Sequence, residues 1–185
     1  LMDALQTERD QGITIDTTQI WLRMAERDVV IIDAPGHKEF LKNMITGASQ
    51  ADAAFVLVDA KEGIREQSKR HGMLLHLLGI RQIAVLVNKM DSVEFDASVF
   101  AAIETEYRTF LKELGVEPVC FVPISARDGD MIASRSAKAS WYKGPTVLEL
   151  LSDFSVTTAD EGQPLRFPVQ DIYKFTAEGD DRRIV

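Results

Sequence analysis

Cysteine is almost missing from this chain. Cys120 stands alone among 185 residues, so no internal disulfide can form and a reducing compartment is expected. Its setting, Val119-Cys120-Phe121-Val122, predicts a buried thiol rather than a reactive one. No apolar run approaches the ~20 residues of a membrane-spanning helix, and the first residues carry no signal-peptide pattern. A soluble cytoplasmic protein with no membrane partner is therefore expected. Positive charge is in deficit, with 21 Lys and Arg against 29 Asp and Glu and a formal net charge of −8. That argues against a general binder of DNA or RNA, because counterion release needs clustered cations, although a local basic patch stays open. Histidine is scarce as well. Of the three, His71 and His76 have no metal-ligating partner at useful spacing and read as structural or surface residues.

What is present is globular. Hydrophobic residues make up 45% of the chain, enough for one full domain and the beginning of another. The run Val29-Val30-Ile31-Ile32 reads as a buried strand and breaks abruptly into Asp33-Ala34-Pro35-Gly36-His37. In an open α/β sheet, ligands sit beyond the carboxyl ends of the strands, so these residues suggest a site. Gly36 lets the backbone approach a bound phosphate, Asp33 can reach a hydrated Mg2+, and His37 can hold an attacking water. The same five residues also read as a strand-to-helix turn capped by Asp33.

The rest of the chain alternates strands and helices. Thr17 to Met24 and the strand ending at Asp33 read as a hairpin, and Lys38 to Ala48 as a helix with Lys38 and Lys42 solvated. Strands follow at 53–58, closed by Asp59, at 83–87 and at 119–124. Helices are expected at 65–78, with an apolar cluster of Met73, Leu74, Leu77 and Leu78, at 96–114, ended by Gly115, and at 147–154. The stripe Val99, Ile103, Tyr107, Phe110, Leu111 and Leu114 is core. Residues 131–140 read as a loop, Asp128-Gly129-Asp130 as a turn, and Trp141-Tyr142 as core or loop anchors rather than a base-stacking platform.

Four motifs stand in the order seen in guanine-nucleotide-binding proteins: Gly12-Ile13-Thr14-Ile15, Asp33-Ala34-Pro35-Gly36-His37, Asn88-Lys89-Met90-Asp91 and Ser125-Ala126. Over nearly its whole length the chain resembles the GTPase domain of the translation-factor superfamily. Two branches are especially similar, the large subunits of bacterial sulfate adenylyltransferases and elongation factor 1-alpha. The resemblance implies a P-loop-type α/β fold with a doubly wound, mostly parallel sheet, and GTP or GDP with Mg2+ as ligands. It also implies roles. Thr14 and Asp33 serve the Mg2+, Thr14 N–H senses the γ-phosphate, Gly36 meets a phosphate oxygen, and His37 holds the attacking water behind an apolar gate that includes Ile13. Guanine offers O6 and N7 as acceptors and two donors on its other edge. Asp91 takes the donors, Asn88 serves the acceptor edge, Ser125-Ala126 lends a backbone N–H to O6, and Lys89 lays its stem along the base.

No Gly-x-x-x-x-Gly-Lys-Ser/Thr occurs in the chain. In this superfamily that loop lies N-terminal to position 1. The resemblance thus implies a partial GTPase domain at 1–155, without the central strand and with weak nucleotide binding by itself. A linker is expected at 156–162, and the first strands of a truncated β-barrel at 163–185. The implied function is a regulatory GTPase subunit of sulfate adenylyltransferase. It couples GTP hydrolysis to the synthesis of adenylyl sulfate from ATP and sulfate, with a catalytic small subunit as partner. Gln67-Ser68-Lys69-Arg70-His71, Leu77-Leu78-Gly79-Ile80 and Arg166-Phe167-Pro168-Val169-Gln170 are similar to that branch. The alternative is an elongation factor delivering aminoacyl-tRNA to the ribosome, to which residues 33–37 and 42–47 are equally similar. Intact His37 argues against a non-hydrolysing nucleotide sensor.

Overall fold

In the computed structural model the described residues are 14, 16–24, 27–156, 173–174 and 183–184. The chain enters through an antiparallel hairpin of β1 (Thr18–Arg23) and β2 (Asp28–Asp33), in which Thr18 faces Asp33 and Arg23 faces Asp28. The Arg23 guanidinium closes the turn end on the Asp28 carboxylate at 2.9 Å. After β2 a single 3-10 turn, Lys38–Phe40, leads into α1 (Leu41–Ala48), so the expected helix starts with a tighter turn. Helix α1 lies on the hairpin through Gly47, where a Cβ would come within 2.7 Å of Thr17 Cγ2 and 3.2 Å of Ile32 Cγ2.

The main sheet is parallel. It consists of β3 (Ala53–Asp59), β4 (Gln82–Asn88) and β5 (Cys120–Pro123), with β4 in the middle and Asp59 in register with Asn88. Residues Ile83 to Val87 are buried, as a run of aliphatic side chains with no alternation requires of a strand covered on both faces. Two helices, α2 (Glu66–Leu77) and α3 (Ala97–Glu113), follow β3 and β4 and pack against each other. Asp96 caps α3 by accepting the Ser98 N–H, and Gly115, at φ +75°, lets the chain turn back so that Val116 N–H bonds Leu111 O. The short helix α4 (Val147–Asp153) opens with a capping box between Thr146 and Glu149, and Phe154 beyond it meets Phe55 of β3.

The expected core stripe of α3 is present, rotated slightly so that Phe100 joins Ile103, Tyr107 and Leu111 as fully buried residues. The expected apolar face of α2 is corrected. Met73 and Leu77 are exposed, and the buried residues of α2 are Ser68, Gly72 and Leu75. The reason is α3, whose Tyr107 hydroxyl donates to Ser68 O at 2.5 Å and, with Leu111, comes within 2.9 Å of where a Cβ on residue 72 would stand. A close helix contact built on the smallest residue outweighs burial of the larger ones. Cys120 is half-buried, and desolvation pushes its thiol up to about 11. Trp141 and Tyr142 are anchors, donating to Phe95 O and Phe121 O.

Toward the C-terminus, two-residue strands β6 (Tyr173–Lys174) and β7 (Arg183–Ile184) pair antiparallel. The expected strand residues Leu165, Phe167 and Val169 and linker residues 157–162 lie outside the described residues.

Candidate functional site

Three chain segments that carry predicted site residues leave the carboxyl ends of β2, β4 and β5, and Asp59 ends β3 beside them. At the end of β4 the chain turns sharply. Lys89 takes the left-handed conformation at φ 61°, which L side chains rarely adopt. Three contacts hold it there. Asn88 Oδ1 accepts Lys89 N–H at 2.7 Å, Ser92 Oγ donates to Lys89 O at 2.7 Å, and Met90 N–H bonds Ile124 O at the end of β5. Met90 is fully buried and anchors the turn to the core, leaving Asn88, Lys89 and Asp91 around the mouth of the sheet.

Asp91 meets the loop that follows β5. Ser125, itself fully buried, donates its hydroxyl to Asp91 Oδ1 at 2.7 Å, and Arg127 Nη2 stands 3.1 Å from Asp91 Oδ2. The Arg127 guanidinium reaches Asp128 as well, at 3.1 Å. Asn88 Oδ1 accepts a second backbone donor, Ala126 N–H at 3.0 Å, and Ser125 N–H bonds Asp130 O. The Asn88 oxygen is thus saturated from within and its amide NH2 is left as the group able to donate outward. The Ala126 N–H, expected to serve a base oxygen, is engaged by Asn88. Arg127 is a participant that sequence reading missed, and its position immediately after Ser-Ala was the available signal.

Lys89 extends across the end of the sheet to Asp59, its ammonium 2.6 Å from Oδ2. Asp59 also accepts the N–H groups of Lys61 and Glu62. Partial burial works against ionisation of Asp59, but these hydrogen bonds outweigh it and hold the carboxyl below its ordinary value.

The second cluster lies beyond β2. Asp33 is half-buried at the strand end, and the His37 imidazole is 45% exposed, with Glu39 Oε2 3.9 Å from Nδ1. Gly36 is tied to α2, its carbonyl oxygen accepting from Gln67 Nε2 at 2.7 Å with His71 Nε2 at 3.0 Å. Thr14 is half-buried, and Ile13 lies outside the described residues. Among the described residues, no three His, Cys, Asp or Glu side chains stand together as a metal cage. Asp33 and Thr14 offer oxygen donors of the kind a hydrated hard cation accepts.

Residues 1–158 match the family described as elongation factor Tu GTP binding domain. Sulfate adenylyltransferase subunit 1 of Yersinia enterocolitica is 47% identical over 171 residues, 92% of this chain and 36% of that protein. Its counterpart in Aeromonas hydrophila is 48% identical over 170 residues, again 92% and 36%. The bifunctional enzyme NodQ of Rhizobium meliloti is 43% identical over 178 residues, 96% of this chain and 28% of that one. The chain spans about a third of the length of these curated relatives. Among solved structures, bacterial selenocysteine-specific elongation factor EF-Sec superposes with a TM-score of 0.64 at 26% identity, covering 95% of this chain and 28% of that one. Sup35 complexed with GDP superposes with a TM-score of 0.58 at 26% identity, covering 71% and 33%.

Proposed function

From the premise that this chain belongs to the elongation factor Tu GTP-binding-domain family, we propose that it is part of the regulatory GTPase subunit of a sulfate adenylyltransferase. The subunit binds and hydrolyses GTP and couples that hydrolysis to the formation of adenylyl sulfate from ATP and sulfate on a catalytic small subunit. The observation that carries the nucleotide half is the paired arrangement at the β4 and β5 ends. Asp91 is aimed by Ser125 Oγ, and Asn88, its oxygen already spent on Lys89 and Ala126, turns an amide donor outward. A fixed carboxylate beside a fixed amide donor matches the donor and acceptor edges of guanine. Adenine lacks the ring N–H that Asp91 accepts, and leaves the carboxylate short of a partner. The sulfate half is supported by relatives named sulfate adenylyltransferase subunit 1 at 47% and 48% identity over 92% of the chain.

Arg127 must release Asp91 Oδ2 when the base enters. An exposed ion pair is worth at most about 1 kcal/mol, so the exchange costs little and Asp128 keeps the guanidinium nearby. Lys89, held by Asp59, lies along the base with its methylenes. Asp33 and Thr14 would hold a hydrated Mg2+, which would neutralise charge on the phosphates. Gly36 N–H donates to a phosphate oxygen, and His37 orients the attacking water once the apolar gate that includes Ile13 has opened. Residues 1–155 form the nucleotide-binding unit, and 163–185 begin a β-domain after a linker at 156–162. The setting is cytoplasmic; among the described residues no helix is long and apolar enough to cross a membrane.

Pyrophosphate release from ATP and sulfate, measured on the full-length protein with its co-purified partner, tests this reading. Release stimulated by GTP supports it. Absence of release together with GTP-dependent binding of aminoacyl-tRNA assigns the protein to translation instead.

A further inference from the structure

The Gly36 carbonyl accepts from two side chains at once. Gln67 Nε2 donates to it at 2.7 Å, and His71 Nε2 lies 3.0 Å away, one helical turn further along α2. A carbonyl oxygen has two lone pairs, and this fork uses both. Because only an acceptor faces His71 Nε2, that nitrogen carries the proton. Burial, with a smaller contribution from the Arg70 charge, holds the imidazole below its ordinary pKa, so the neutral Nε2–H tautomer prevails. The approach is close. A Cβ on residue 36 would stand 2.9 Å from Gln67 Nε2 and 3.2 Å from His71 Cε1, so any larger residue would displace the fork from its carbonyl.

The Gly36 carbonyl shares one planar peptide with the His37 N–H. Holding the oxygen therefore sets the plane from which His37 departs. On its other side, the His37 carbonyl accepts Phe40 N–H at 3.0 Å. Among the described residues the neighbours of the His37 ring are loose, Glu39 at 3.9 Å and the Phe40 ring centroid at 6.2 Å. Its placement comes from the backbone, and the backbone on the Gly36 side is held by α2.

We propose that Gln67 and His71 are positioning residues for His37, fixing the Gly36–His37 peptide through their shared hydrogen bonds to the Gly36 carbonyl. This rests on the assignment of His37 to the attacking water. A displacement of about 1 Å in a group that orients a reactant costs up to about 100-fold in rate, so losing the fork lowers hydrolysis without touching the base pocket at the β4 end.

The test uses the full-length protein, four single variants, Gln67→Ala, His71→Ala, His71→Gln, which keeps an N–H donor, and His37→Ala, and two double variants that combine His37→Ala with Gln67→Ala or His71→Ala. The His37 backbone amide is followed by 1H–15N NMR, hydrolysis by single-turnover assay, and GDP affinity by fluorescence titration. The expected result is a shifted and broadened His37 amide in both alanine variants, restored in His71→Gln. Hydrolysis falls about 10- to 100-fold, with GDP affinity within about 2-fold and no further loss once His37 is Ala. An unchanged His37 amide in both alanine variants overturns the proposal, as does a loss of rate that persists in the His37→Ala background. A responsive amide together with wild-type hydrolysis by His37→Ala supports the fork and overturns the role given to His37.

Discussion

The Asp59 carboxylate holds the Lys89 ammonium at 2.6 Å across the end of the β3–β4 ladder, where Asp59 and Asn88 are register partners. Parallel pairing brings the last residue of one strand beside the first motif residue of the next, and the ion pair extends that register into the loop. Asp59 is thereby a support of the nucleotide site although it belongs to none of the four motifs. Asp59→Asn keeps the shape and the Lys61 and Glu62 contacts but releases Lys89. GDP affinity is expected to fall about 5-fold, the scale of one half-exposed charge pair, measured by fluorescence titration. The pH dependence has a definite sign. With its folded pKa depressed, ionised Asp59 contributes stability that is present above the unfolded value of about 3.9 and is lost as pH falls through the folded one. Between those two values Asp59→Asn is therefore expected to lose less stability than wild type, as read from denaturant midpoints.

Gly72 sets how closely α2 and α3 approach. A methyl at this position meets Leu111 Cδ2 at 2.7 Å and Tyr107 OH at 2.9 Å. Ala gains up to about 1 kcal/mol over Gly in a helix, while overpacking a tight core costs about 1–3 kcal/mol. The clash involves a buried, hydrogen-bonded tyrosine, so the second effect wins. Gly72→Ala is expected to be net destabilising by about 1–2 kcal/mol in chemical denaturation, and Tyr107→Phe by about 1 kcal/mol through loss of the hydrogen bond to the Ser68 carbonyl.

His37→Ala is expected to slow single-turnover GTP hydrolysis about 100- to 10,000-fold, the range for a group that directs proton transfer. GDP affinity should stay within about 2-fold, since the imidazole is half-exposed and makes no contact with the β4 or β5 loops among its described neighbours. A large loss of GDP affinity contradicts the assigned role.

The strands β2 to β5 and their order along the chain were legible in the sequence because each is a continuous apolar run that stops at a polar residue, as at Asp59 and Asn88. The burial expected of the runs in β2 and β3 is corrected, since Ile31 and Leu57 are exposed at strands covered on one face, while Ile83 to Val87 of β4 are buried. The face that α2 buries was not. Its leucines and methionine suggested one stripe, but Tyr107 selects Gly72 and Ser68, and a helix contact governed by close approach leaves no apolar periodicity to read. In the site, the tetrapeptide gave Asn88, Lys89 and Asp91 by position. The left-handed turn at Lys89, the saturation of Asn88 Oδ1 and the Arg127 bridge depend on backbone geometry between loops distant in sequence. His71, read as a structural or surface histidine, gains its place on Gly36 for the same reason.

The central claim is that the β4 and β5 loops form a guanine pocket whose selectivity resides in Asp91. It is tested most directly by the relative affinities of Asp91→Asn for GDP and for xanthosine diphosphate, measured side by side with the full-length wild type by competition with a fluorescent nucleotide. Asn presents a donor where the carboxylate accepted, and xanthine presents an oxygen where guanine has an amino group, so the preference is expected to reverse toward the xanthine nucleotide by at least about 100-fold overall. An unchanged preference for GDP contradicts the pocket as described.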